Sequence, residues 1–347
     1  MKIRKMLSVL AIGSLLTIMV GCGEKSVNDN KEVANSQEQS ETKEANENDE
    51  VDNKDVKKVA IVQYMEHPSL DAIREGMIDE LAEDGYVDGE NIVIEFENSQ
   101  GDQSNLNSIA GKFLGDDPDV VIAIATPAAQ SMAAAIKDTP IVFSAVSDPL
   151  GAKLVTDMEK PTSNITGTSD ALPMDQTFEL IKELSPDAKT IGFIYTASEA
   201  NSQSIIAEAK EMAAEYGLEC VEKTITTSTE LQQAAEVLAG KVDVIYTPVD
   251  NVIASSIPVL AEVGKKTKIP VYAGAVEMVE QGAYATVGVD YYKLGEVTGD
   301  MVGEVLEGKE VSEIPVDTLD NFMKVINKTT ADAIEAPSEF EGATIVE

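Results

Sequence analysis

Short apolar runs alternate with amphipathic stretches along most of the chain after residue 55. Apolar runs of this length favour buried parallel strands, and apolar residues three or four positions apart predict helices between them. The sequence predicts strands over 58–64, 92–96, 119–124, 141–146, 190–195, 242–246, 268–274 and 283–292, and helices that include 69–81, 106–114 and 294–306. This regular alternation is typical of doubly wound α/β folds with parallel sheets.

Two of the predicted strands end in the same dipeptide. The strand that ends near residue 124 leads into Thr126 and Pro127, and the strand that ends near residue 246 leads into Thr247 and Pro248. Proline is favoured in the first turn of a helix, where the open backbone N–H groups suit an anionic ligand group. Each junction therefore predicts a helix that starts at the end of a buried strand.

The two junctions belong to a longer repeat. A strand that ends in tyrosine, a serine-bearing loop, a Thr-Pro junction and a strand introduced by proline occur twice in the same order. Such self-similarity predicts two similar α/β lobes. The predicted division is a first lobe over 56–165, a second lobe over 166–288, a return to the first lobe over 289–314, and a final strand on the second lobe with a tail over 315–347.

The N-terminus reads as an export signal with an attachment point. Basic residues are followed by an apolar run over 6–20 and then by Gly21-Cys22, which predicts a signal peptide over 1–21. The Gly-Cys pair resembles the lipobox of bacterial lipoproteins, although Met19 stands where leucine is usual. The resemblance implies lipidation of Cys22 and a protein anchored on the extracytoplasmic face of the cell membrane. An ordinary cleaved signal is the alternative.

Residues 22–55 are rich in Glu, Asn, Asp, Ser, Gln and Lys and predict a disordered acidic tether behind the lipidated cysteine. The formal net charge of −36 argues against nucleic acid and anionic membrane surfaces as partners. With Cys22 lipidated, Cys220 has no partner for a disulfide, and we expect it to be buried as a small apolar residue. A single histidine and no cysteine pair argue against a metal site, and we expect no cofactor.

The carboxyl ends of the predicted strands define a candidate binding site, because ligands of open α/β sheets bind there. These ends gather hydroxyls, acids, amides and tyrosines without lysine or arginine, which suits a zwitterionic amino acid better than a phosphorylated molecule. Asp148, Asp250 or Asp290 can hold the ammonium. The candidate residues are Tyr64, Glu66, His67, Ser69, Thr126, Pro127, Ala128, Ser144, Ser147, Asp148, Tyr195, Asn201, Ser202, Thr247, Asp250, Asn251, Gly274 and Asp290.

His67 is the one histidine of the chain and admits two interpretations. It can contact a ligand or respond to pH, or it can fix Pro68 and the start of the following helix. A third hypothesis uses Glu66 and His67 as acid and base of an enzyme. That hypothesis lacks a nucleophile with an oriented base and lacks a metal, so the sequence predicts a protein that is not an enzyme.

Several of these segments resemble one family of proteins. Residues 64–71, 123–130, 146–149, 167–170 and 247–251 are similar to the substrate-binding lipoproteins of ABC transporters, of the tryptophan/tyrosine type. The resemblance covers about residues 57–328 and implies a type I periplasmic-binding-protein fold with three crossovers and a hinged cleft. It implies that residues 66–69, 126–127, 147–148, 250–251 and Asp290 line this cleft.

The resemblance also implies a function and partners. The expected function is to bind an aromatic or large apolar amino acid between two lobes, as a monomer, and to deliver it to an ABC permease and its ATPase. Two alternatives stay open from the sequence: a sensor subunit that presents its ligand to a membrane receptor, and the binding of another small molecule such as a nucleoside or sugar.

Overall fold

The computed structural model describes residues 56–347, so the predicted signal peptide, Cys22 and the whole predicted tether lie outside the described part. The strands are β1 (Lys57–Gln63), β2 (Ile92–Asn98), β3 (Val120–Ile124), β4 (Ile141–Ser144), β5 (Ile165–Ser169), β6 (Thr190–Thr196), β7 (Glu219–Ile225), β8 (Val244–Thr247), β9 (Val271–Ala273), β10 (Ala285–Val289), β11 (Asp317–Thr318), β12 (Phe322–Asn327) and β13 (Ala343–Val346).

The helices complete the alternation that the sequence predicts. They are α1 (Pro68–Glu83), α2 (Gln103–Asp116), α3 (Thr126–Ala135), α4 (Met174–Leu184), α5 (Ala200–Glu215), α6 (Leu231–Ala239), α7 (Asn251–Ala254), α8 (Ile257–Thr267), α9 (Val276–Glu280), α10 (Tyr291–Leu306) and α11 (Lys328–Ile334), with short 3₁₀ turns at Ser228–Glu230 and Val311–Glu313. Within residues 56–347, no helix is both long enough and apolar enough to span a bilayer.

The strands form two sheets. The first has the order β11-β5-β4-β3-β1-β2 and is parallel throughout, and the second has the order β13-β12-β10-β9-β8-β6-β7. Every residue of β3 and β4 is buried, as expected for central parallel strands covered on both faces. We call the first sheet with α1, α2, α3 and α10 the first lobe, and the second sheet with the other helices the second lobe. The predicted two-lobed α/β fold is confirmed.

One strand departs from the parallel pattern. β12 pairs antiparallel with β10, and its first residue, Phe322, lies opposite Val289, the last residue of β10. The chain arrives from β11 in the first lobe through only three residues, so it enters the second sheet at the carboxyl end of β10. A strand that starts where its neighbour ends must run in the opposite direction.

Three short connections join the lobes: residues 170–173 before α4, residue 290 before α10, and residues 319–321 before β12. The strand Ile165–Ser169 pairs with β4 and thus belongs to the first sheet, although the predicted second lobe starts at residue 166. The tail of the chain adds β13 in parallel beside β12.

The helices α1 and α10 cross at unusually close range on the first sheet. A side-chain carbon at Gly76 would lie 2.2 Å from the carbonyl oxygen of Tyr292, and one at Gly295 would lie 2.2 Å from that of Ile73. Only glycine permits this approach of two helix backbones. The contact fixes α10, and with it the connection at Asp290, against the helix that follows β1.

The prediction for Cys220 is wrong, because this cysteine is exposed. It lies on β7, which is the last strand of its sheet and pairs only with β6. An edge strand has a neighbour on one side only, so solvent reaches residues that a central strand would bury.

Candidate functional site

The carboxyl ends of both sheets face each other across a narrow gap between the lobes. Among the described residues, three polar side-chain contacts span it. His67 Nε2 lies 3.3 Å from Asn251 Oδ1, Ser69 Oγ donates to Glu277 Oε2 at 3.0 Å, and Ser204 Oγ donates to Asp148 Oδ2. The lobes therefore touch directly through polar groups, and the gap is closed.

The junction at Thr126 forms as the sequence predicts, with Pro127 in the first turn of α3. Ala125, just before the helix, has φ 80° and ψ 152°, a backbone conformation that costs a non-glycine residue about 1–3 kcal/mol. No side chain caps α3, and the buried Thr126 hydroxyl has no hydrogen-bond partner. This end of α3 can therefore receive an anionic group with its free N–H groups and a hydroxyl.

The second Thr-Pro junction differs from the prediction. No helix starts at Pro248; instead Asp250 caps the short helix α7, which begins at Asn251. The Asp250 carboxylate also accepts from Thr196 N at 2.6 Å, from Thr196 Oγ1 at 2.8 Å and from Ser202 Oγ at 2.8 Å. A carboxylate offers about four acceptor positions, and the bond from Ile253 N at 3.0 Å fills the fourth. Asp250 and Ser202 thus organise the strand ends of the second lobe.

Glu199 lies beside Asp250 and is completely buried. Its carboxylate accepts from the backbone N–H groups of Asn251 at 3.0 Å and Val252 at 3.2 Å, and from the side-chain amides of Asn251 and Asn201. Burial and the charge of Asp250 both raise the pKa of Glu199. Burial likewise raises the pKa of Asp250. The second lobe thus places two neighbouring carboxylates under the gap.

Burial shifts the pKa values of two side chains of the first lobe, Tyr64 and His67. Burial raises the pKa of Tyr64 to about 12, and the charges of Glu199 and Asp250 across the gap add to the shift. Burial lowers the pKa of His67 to about 4, although the bond to Asn251 and the charge of Asp71 oppose the change. His67 therefore carries no charge at neutral pH, and it stands at the N-cap position of α1 without capping it.

Unpartnered polar atoms mark the same region. Among the described residues, six buried side-chain atoms have no hydrogen-bond partner: His67 Nδ1, Thr126 Oγ1, Asn201 Oδ1, Tyr246 OH, Thr247 Oγ1 and Thr286 Oγ1. Four of the six belong to residues that the sequence proposes for the site. A buried polar atom without a partner costs about 1–3 kcal/mol, so their grouping at the strand ends indicates a place for a polar ligand.

The structure leaves some of the proposed residues away from this group. Ser144 bonds Thr168 and Thr298 beneath α10, and Tyr195 donates to Glu222 on the edge strand β7. Asp290 is exposed and caps α10, and Glu66 is also exposed. Gly274 lets the backbone of residues 248–249 pack directly against its own backbone, because a side-chain carbon at position 274 would lie 2.5 Å from Val249 N. Pro127 and Ala128 contribute the first turn of α3.

Three acids at the gap are absent from the sequence-based set. Asp170 is buried and accepts from Ser147 Oγ and Tyr291 OH, both at 2.8 Å, and its burial raises its pKa. Glu277 receives the bond from Ser69, and burial raises its pKa to about 7, with Glu280 and Asp290 adding to the shift. Glu199 is the third. Asp170 follows β5, Glu277 follows β9 and Glu199 follows β6, each within a few residues. The rule that ligands of open α/β sheets bind at the carboxyl ends of the strands (the strand-end rule) could therefore have found them.

One group of acids could reach a common cation in the described part of the chain, namely Glu80, Asp84 and Asp300. Glu80 lies on α1, Asp84 directly follows this helix, and Asp300 lies on α10. All three are away from the strand ends, and Asp84 and Asp300 are exposed. Exposed acids often gather in this way in a chain as acidic as this one. Burial and neighbouring acids raise the pKa of Glu80 and of Asp300.

A family model described as "ABC transporter substrate binding protein" matches residues 58–336. The chain belongs to this family. As a substrate-binding protein of an ABC transporter, it acts outside the cytoplasm. It is 44% identical over 335 residues to the "Tyrosine-binding protein" of Clostridioides difficile (strain R20291), a match that covers 96% of this chain and 93% of the relative.

Two solved structures are similar to this substrate-binding protein, one with a bound ligand and one without. One is an ABC domain of Streptococcus pneumonia in complex with L-Trp, with a TM-score of 0.81 and 39% identity over 84% of this chain and 99% of that one. The other is a ligand-free, open substrate-binding protein with adhesive properties from Clostridium difficile, with a TM-score of 0.66 and 44% identity over 84% and 99%. The sequence is closer to the open relative, yet the fold superposes better on the complex. This contrast agrees with the closed gap described above.

Proposed function

We propose that this substrate-binding protein closes its two lobes on an aromatic L-amino acid, such as tyrosine, tryptophan or phenylalanine, and delivers it to an ABC permease and its ATPase. The observation that carries the proposal is the set of four unpartnered buried polar atoms, on His67, Thr126, Asn201 and Thr247, at strand ends of both lobes. The names of the two relatives support the ligand class, since one is called tyrosine-binding and the other holds L-Trp.

The carboxylate of the ligand needs no arginine. Arg74 is the sole arginine after the leader, and its guanidinium already bonds Gln63 at 2.7 Å, pairs with Asp71 and stacks on Phe96. The open end of α3 with the Thr126 hydroxyl is the alternative receptor in the first lobe. A helix N-terminus favours an anion through its free N–H groups and its dipole.

Calorimetry tests the ligand class. The full chain is titrated with each of the twenty amino acids, a nucleoside and a sugar. We expect micromolar or tighter binding of tyrosine, tryptophan or phenylalanine and much weaker binding of charged amino acids. Binding of the nucleoside or the sugar, with no response to any amino acid, would remove the ligand assignment.

The anchor is a second part of the proposal. We propose that Cys22 receives the lipid, that residues 22–55 serve as a tether, and that the protein works as a monomer. The lobe limits are those of the sequence analysis, except that residues 166–169 and 317–318 lie in the first sheet and belong to the first lobe. Cys22→Ser is expected to move the protein from the membrane fraction into the medium, because a thiol is required for lipidation. Immunoblots of both fractions measure this, with Cys220→Ser as the matched control, and membrane retention of Cys22→Ser would contradict the anchor.

A further inference from the structure

The carboxylate of Glu199 controls the orientation of two asparagine amides. Its Oε2 atom accepts from Asn251 Nδ2 at 2.7 Å and from Asn201 Nδ2 at 3.2 Å, so both amide nitrogens point to one oxygen. A flip of either amide would place its oxygen against the carboxylate. The other two partners of Glu199 are backbone N–H groups, which can only donate. The whole set therefore fits an acceptor and fixes each amide in one orientation.

The fixed amides present their carbonyl oxygens away from Glu199. Asn251 Oδ1 faces the first lobe and lies 3.3 Å from His67 Nε2. Asn201 directs its nitrogen to Val249 O at 2.8 Å as well as to Glu199, and its Oδ1 is buried without a partner. One amide oxygen thus already takes part in a contact across the gap, and the other has an unused acceptor position beside it.

Within residues 56–347, no lysine or arginine side chain bonds the carboxylates of Glu199 and Asp250. Both carboxylates accept hydrogen bonds from N–H groups or hydroxyls, and Asp250 has its four acceptor positions filled. Asp290 is exposed at its helix cap, which removes a second acid from the candidates for the ammonium. A buried carboxylate pair without a cation is unfavourable, and a ligand ammonium would correct this.

We propose that Glu199 is a positioning residue, which holds Asn201 and Asn251 so that their carbonyl oxygens accept N–H bonds from the ammonium of the ligand. This proposal rests on the proposed function and specifies how that site tells an amino acid from its des-amino analogue. The ammonium contacts the neutral carbonyl oxygens of the two asparagines. The balancing negative charge is that of Glu199, which is hydrogen-bonded to the amide nitrogens of the same two side chains.

The test compares ligands that differ only in the ammonium. The full chain is titrated with L-tyrosine and 3-(4-hydroxyphenyl)propanoate, and with L-tryptophan and indole-3-propanoate. The wild-type protein is expected to prefer the amino acid. In Glu199→Gln we expect amino-acid affinity to fall about 10- to 100-fold while the affinity for the des-amino analogue stays within about threefold. The substitution removes the negative charge behind the two amides, and the glutamine NH2 group cannot accept a hydrogen bond as the second carboxylate oxygen does from Val252 N.

Two further variants keep the proposal open to refutation. Asn201→Ala removes the unpartnered oxygen and leaves Glu199 in place, so it is expected to lose the same preference even if Glu199→Gln folds poorly. Asp148→Asn tests the remaining candidate for direct contact with the ammonium. The control is Glu230→Gln, because this exposed glutamate of the second lobe accepts from Thr226 away from the gap. Loss of the preference in Asp148→Asn alone would overturn the positioning role of Glu199 but leave the proposed function intact. A wild-type protein that binds neither amino acid would overturn both.

A pH profile separates positioning from a purely structural role. The groups that face Glu199 are Asp250 from the loop after β8, Tyr64 from the end of β1, and His67 through Asn251. An ammonium ligand favours the ionised carboxylate, so amino-acid affinity is expected to rise with pH as Glu199 ionises, with proton release on binding. Glu199→Gln is expected to flatten this rise, and an unchanged profile would count against the proposal.

Discussion

Asp250→Ala is expected to lower the free energy of unfolding by about 4 kcal/mol, because it leaves four buried donors of the second lobe without an acceptor. These donors are the backbone N–H groups of Thr196 and Ile253 and the hydroxyls of Thr196 and Ser202. They join the ends of β6 and β8 to α5 and α7. Denaturant unfolding of the variant and the wild-type protein measures the loss.

A matched control separates this network from ordinary helix capping. Asp102 is also an acidic N-cap, but it is exposed and accepts only from the N–H groups of Ser104 and Asn105 at the start of α2. Asp102→Ala is therefore expected to cost about 1 kcal/mol. A similar loss in both variants would mean that Asp250 acts as a cap and nothing more. In Asp250→Ala, the removal of the repulsion between Asp250 and Glu199 offsets only part of the loss in unfolding free energy, since the four former donors to Asp250 remain buried.

The second large effect concerns pH. His67 takes up a proton near its ordinary pKa of 6.5 in the unfolded chain, and near about 4 in the folded protein, where burial disfavours its charge. Between these values the unfolded state binds more protons, so stability rises with pH. The contribution is fully present above about pH 6.5 and is lost as the pH falls to about 4. A shift of this size corresponds to about 3 kcal/mol.

His67→Gln is expected to remove this part of the pH dependence. Glutamine keeps a donor for Asn251 Oδ1 but does not titrate, and the chain contains no other histidine. The difference in unfolding free energy between wild type and variant, measured from pH 4 to 7, isolates the contribution of His67 from that of the acidic residues, which are the same in both proteins. Parallel profiles for the two proteins would show that the His67 ring stays accessible to protons in the folded state.

The sequence predicts the first junction better than the second for a local reason. At Thr126 the chain must turn directly from β3 into α3, and Pro127 fits the first helical turn. At Thr247 the same dipeptide leads into a loop, because Asp250 offers its carboxylate to Thr196 and Ser202, residues about fifty positions away. Proline in a dipeptide is a local signal. The dipeptide alone does not show that bonds between Asp250 and distant residues will favour a loop over a helix start.

Ser144 and Tyr195 illustrate the same limit at single residues. Both lie at strand ends, so the strand-end rule includes them, yet their hydroxyls bond Thr298 and Glu222 instead of facing the gap. Neighbouring residues of a strand point to opposite faces, and an error of one position exchanges the two faces. The acids that do reach the gap, such as Glu199, follow irregular loops whose path has no periodic pattern.

By itself the sequence determined the alternation of strands and helices, the duplication into two lobes, the open N-terminus of α3 and the family. The alternation, the duplication and the helix start follow from periodicity and from short motifs, which depend on contacts within a few residues, whereas the family follows from the resemblance of several segments to known proteins. Only the tertiary structure decided the antiparallel entry of β12, the exposure of Cys220, and the network of Glu199 with its two amides. Those depend on residues that meet across the sheet or across the gap, and the free energy of such contacts is set by burial and geometry that no local pattern encodes.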